Sequence, residues 1–129
     1  MRPLQQFLRM TQRELNIAGA EITVALVTDA EIAKWNRAYR KKSGPTDVLS
    51  FPATSGRRNG TVATEILGDI AIAPETAKRY AAKNGRTLGN ELRVLILHGV
   101  LHLMGYDHEC DNGQMNRIER KLRRRLGLA

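Results

Sequence analysis

A chain of 129 residues is expected to fold as one domain, 1–129, with interior enough for a core that needs no staples. Its one cysteine, Cys110, excludes an internal disulfide framework, and no early apolar run resembles a signal peptide or a membrane span, so a cytoplasmic protein without membrane partners is expected. The 21 basic and 13 acidic residues leave a net charge of +8, which favours polyanions, nucleic acid first, as partners.

From about Pro3 to Ile17, Leu4, Phe7, Leu8 and Leu15 recur at loosely helical intervals, with Gly19 as a stop. Glu21 to Val27 alternates as a strand does, with Ile22, Val24 and Leu26 on one side. Thr28 or Asp29 is placed to cap a second helix whose inner face is Ile32, Trp35 or Asn36, and Tyr39, before Ser43, Gly44 and Pro45 break the chain. Val48 to Phe51 reads as a short strand, Ala53 to Thr64 as a loop carrying Arg57 and Arg58, and Ile66 to Ala73 as a further strand. Pro74 suits the first turn of a third helix ending near Asn84 and Gly85. Leu88 to Met104 is apolar nearly all round, the mark of a helix buried in the domain. A last helix turns Met115, Ile118, Leu122 and Leu126 inward, and Arg117, Arg120, Lys121, Arg123, Arg124 and Arg125 outward as a solvated face. The order predicts an α+β (mixed α/β) fold, a small mixed sheet covered by about five helices.

All three histidines, His98, His102 and His108, fall in the segment His-Gly-Val-Leu-His-Leu-Met-Gly-Tyr-Asp-His. A spacing of four puts His98 and His102 on one face of the buried helix, and Gly105 is placed to reverse the chain so that His108 returns towards them. Three neutral imidazoles with an open vertex form the protein half of a catalytic zinc site, here on the buried helix and the turn after it. Cys110 as a fourth ligand would instead close the site and make it structural. The spacing resembles that of the metzincin proteases, but their glutamate after the first histidine is replaced by Gly99, which weakens a peptidase reading.

The same segment, Gly-Tyr-Asp-His included, is closely similar to the hallmark of the YbeY endoribonuclease family, bacterial rRNA maturation factors. Asn36, Tyr39 and Arg40 with Pro45-Thr46-Asp47-Val48-Leu49-Ser50-Phe51-Pro52 resemble the family's second block, and Leu67-Gly68-Asp69-Ile70 its third. The resemblance implies a zinc-dependent, single-strand-specific endoribonuclease in 16S rRNA 3′ end maturation and ribosome quality control. It implies one zinc per chain on His98, His102 and His108, with His98 and Arg40 as the catalytic residues. Its implied partners are ribosomal RNA, the small ribosomal subunit, and ribosomal or GTPase assembly proteins. Arg40 has a sensible task there, since a guanidinium forks onto phosphate oxygens. Members of the family usually open with a β-strand, whereas here Met1 leads almost directly into helical sequence, so either the coded start is shortened or the sheet lacks an edge strand.

Asp107 has two readings, a base or ligand-orienting group beside His108 and a residue that shapes the turn. Asp47 is expected to fix the start of its strand through local bonds, Asp69 to need a partner within an apolar strand, and Trp35 and Tyr39 to pack in the core. The competing functions are an RNA-binding assembly factor with structural zinc and a metallohydrolase of another substrate, peptides included.

Overall fold

The computed structural model describes residues 2–53, 65–106 and 113–128. Its elements run α1 (Arg2–Glu14), β1 (Ala20–Leu26), α2 (Asp29–Arg40), β2 (Val48–Pro52), β3 (Glu65–Ile72), α3 (Pro74–Asn84), α4 (Leu88–Leu103) and α5 (Gln114–Arg125). The three strands lie in the order β1-β3-β2, with β1 parallel and β2 antiparallel to β3. This is the mixed sheet of an α+β fold, as expected.

Local chemistry sets the helix starts. Thr28 caps α2 in a reciprocal box: its hydroxyl accepts from the Glu31 N–H at 3.1 Å, while the Glu31 carboxylate accepts from the Thr28 N–H at 3.1 Å. Pro74 opens α3 and Gly85 ends it with φ 68°. Thr87 caps α4 by accepting from the Asn90 N–H at 3.1 Å.

One face of the sheet packs Ile70 and Ile72 against Phe7 and Leu8 of α1, Ala77 of α3, Met115 and Leu122 of α5, and the long apolar surface of α4. A smaller cluster of Ile32, Leu49 and Ala73, with Trp35 and Phe51 against it, lies under α2. The two clusters follow from the alternation of β2, whose successive side chains point to opposite faces.

Three expectations need correction. α1 stops at Glu14 rather than near Ile17, because Asn16 takes a left-handed φ of 60° and the Gln12 amide donates to the carbonyls of Ile17 and Ala20. Tyr39 is not core but 70% exposed, edge-on to Phe51 at 5.3 Å between ring centroids. Asp69 lies on an exposed position of β3, so solvent meets its charge and no buried partner is required.

Candidate active site

α4 runs through the main core with its cap at Thr87 and its end at Leu103, and His98 and His102 share its less buried side. Their Nε2 atoms stand 3.0 Å apart. At that distance the two rings share a hydrogen bond. Tetrahedral zinc with bonds of about 2.0–2.1 Å places two nitrogen ligands roughly 3.4 Å apart, so the pair converges as two ligands would and has to part by about 0.4 Å to hold one. Behind it, His98 Nδ1 meets Glu119 Oε1 of α5 at 3.1 Å, and Arg123 Nη2 donates to Glu119 Oε2 at 3.0 Å. An ionised carboxylate only accepts, so Nδ1 carries the hydrogen of this bond, and the tautomer it selects in a neutral ring is the one whose Nε2 is bare for a metal. A metal-binding histidine is commonly held in this way by a carboxylate.

After α4 the chain reverses as expected. Gly105 has φ 101°, its N–H donates to the His102 carbonyl at 3.0 Å, and the Tyr106 N–H donates to the Leu101 carbonyl at 3.1 Å. His108, the third expected ligand, lies outside the described residues, as do Asp107, Cys110, Arg57 and Arg58. Among the described residues no group of three or more possible metal-binding side chains is assembled. Among the described residues the donor set is therefore two convergent imidazoles with a carboxylate behind one of them.

Gly99 has a packing role. A Cβ there would come within 2.9 Å of both Ile70 Cδ1 and Ile70 Cγ2, so the position after His98 faces the sheet and the absence of a side chain lets α4 sit on β3. A glutamate at this point would press on the sheet, which is the physical reason the protease pattern fails here. Ser50 of β2 adds a tie, its hydroxyl donating to the Gly99 carbonyl at 3.3 Å. Gly68, with φ 140°, admits another close approach, since a Cβ would overlap the Phe51 carbonyl oxygen and reach 2.9 Å from Leu103 Cδ2.

Arg40, in the last turn of α2, lines one cavity with His98, His102, Ser50, Phe51, Tyr39 and Tyr106; its volume is about 810 Å³. The turn after Arg40 is held by buried Asn36, whose amide donates to the Gly44 carbonyl at 3.0 Å while its backbone carbonyl accepts from Lys42. Asp47 fixes the start of β2, as expected. Burial pushes its carboxyl above its ordinary value, and the N–H groups of Asp47 and Val48 oppose the rise. Glu119 escaped the sequence reading because α5 looked like an amphipathic helix with a basic outer face. The available signal was a lone acid among the apolar inward positions of α5.

A family model described as endoribonuclease YbeY matches residues 2–127. The chain belongs to the YbeY family. The endoribonuclease YbeY of Solibacter usitatus is 42% identical over 125 residues, which cover 97% of this chain and 78% of that protein. That of Aquifex aeolicus is 42% identical over 106 residues, covering 82% and 68%. Among solved structures, the solution structure of TM1509 from Thermotoga maritima superposes with a TM-score of 0.65 at 28% identity, covering 97% of this chain and 79% of that one. No helix among the described residues is long and apolar enough to cross a membrane.

Proposed function

We propose that this YbeY-family chain is a zinc-dependent, single-strand-specific endoribonuclease acting in the cytoplasm on 16S rRNA 3′ end maturation and ribosome quality control. One observation carries the reading: Arg40 of α2 and the histidine pair of α4 line the same cavity. A permanent cation that forks onto phosphate oxygens, in one cavity with nitrogen donors suited to a borderline metal, suits metal-assisted phosphodiester cleavage.

A single zinc held by His98, His102 and His108 would supply Lewis acidity and a water acidified to a pKa of about 7. The residues of the chain supply the rest. Arg40 binds the non-bridging oxygens and offsets the charge that grows on them as the bond breaks. Glu119 holds the His98 ring by its Nδ1, and Ser50 ties the backbone beside it to β2. Tyr39 and Phe51, set edge to face at the cavity, offer faces on which an unpaired base stacks, which supports a single-stranded substrate.

The test is cleavage of a defined ribosomal RNA precursor by metal-quantified protein, beside His98→Ala and Arg40→Ala with the fold of each checked by circular dichroism. Wild type should cut, His98→Ala should not, and folded Arg40→Ala should lose about 100-fold or more in kcat. Equal cutting by all three would trace the activity to a contaminant and end this reading.

A further inference from the structure

Away from the histidine cavity, the N-terminal end of α4 and the outer side of α5 enclose a second groove of about 980 Å³. Arg120, Lys121 and Arg124 of α5 line it, together with Arg117, Thr87 and Asn90. We propose that this groove binds the phosphodiester backbone of the RNA strand beyond the linkage that is cut; the inference rests on the ribonuclease reading above.

The charge distribution carries the argument. A merely solvated helix face mixes signs, but the one acid of α5 is Glu119, which is 8% exposed and turned inward, so the outer face carries only cations. Arg123 and Arg86 are paired with Glu119 and Glu91. Among the described residues Arg120, Lys121 and Arg124 make no salt bridge, and all three are exposed. Like charges gathered this closely repel one another, and a polyanion relieves that repulsion while releasing its counterions. The positive end of the α4 dipole opens on the same groove through Thr87 and Asn90.

The groove also has the right relation to the cavity. Glu119 touches His98 with one oxygen and Arg123, in the groove wall, with the other. Along α4, Asn90 and His98 are separated by about 12 Å, a span that a few nucleotides bridge. A strand cut at the histidines thus has a basic track for its flank.

The experiment compares Arg120→Gln/Lys121→Gln/Arg124→Gln with a control triple of equal charge loss elsewhere, Arg9→Gln/Arg13→Gln/Lys78→Gln. Each is assayed on a long single-stranded RNA and on a short one that fills only the cavity, with melting temperatures measured alongside. The groove triple should raise KM for the long RNA by roughly tenfold or more and leave kcat and the short RNA unchanged. Its plot of log affinity against log salt should be shallower by roughly 2, about 0.7 for each phosphate that is no longer neutralised. Equal effects from the control, an unchanged salt slope, or equal loss on the short RNA would overturn the proposal. So would retained RNA affinity with lost binding to polyglutamate, which assigns the groove to an acidic protein. If wild type binds but cuts neither RNA, the ribonuclease reading fails while the slope comparison still decides the groove.

Discussion

Glu119 decides which nitrogen of His98 faces the cavity. Replaced by glutamine, it loses the charge that fixes the ring and leaves Arg123 facing a weaker acceptor, so Glu119→Gln should lower zinc affinity by about 10–100-fold. Competition with a chromophoric chelator measures this, and an unchanged affinity in a folded variant would remove Glu119 from the site. Asp47 makes a separate prediction through pH. Its folded pKa lies above the ordinary 3.8 of the unfolded chain, so the folded state holds the proton more tightly. Wild type should therefore lose stability as pH rises from about 3.8 through the folded value, relative to Asp47→Asn, which keeps an acceptor oxygen and has no proton to lose. Urea unfolding across that range reads the difference, and a flat one would show that the carboxyl is not strained by burial. At this scale the sequence revealed what lies close along the chain and little else. The histidine spacing and Gly105 were legible because a helix and its stop relate residues a few positions apart. The Glu119 contact with His98 spans 21 positions, and nothing local marks it.

α4 shows why a pattern of residue types is not yet a chemistry. Its periodicity made it a buried helix bearing two histidines, which was correct, but the role of Gly99 depended on β3 lying across it. Gly99→Ala should destabilise the fold by about 1–3 kcal/mol through overpacking against Ile70, despite the better helix propensity of alanine. Ile70→Val in the same chain should recover part of that loss by freeing a methyl group's space. A Gly99→Ala protein as stable as the parent in urea would mean that α4 and β3 can part at no cost. The helix and strand boundaries were legible to within a few residues because caps, prolines and alternation are local signals. Tyr39 was misassigned because helical spacing identifies a face and not where the neighbouring sheet ends. The last turn of α2 carries its aromatic to Phe51, beyond the interior.

Across the molecule, α4 is the common neighbour of α1, α3, α5, β2 and β3. Its inner positions Ile96, Leu97, Val100 and Leu101 are fully buried, and they alternate along the sequence with the histidines. Binding sites are often carried on loops whose local opening is cheap, so a protein can lose its site while keeping its fold. This chain has no such separation at the pair. The amides of α4 around His98 and His102 belong to the part of the structure expected to exchange with solvent only when the whole fold opens. The pair is therefore lost only with the whole fold, and a protease or chaperone that samples copies opened elsewhere still meets molecules that present both histidines.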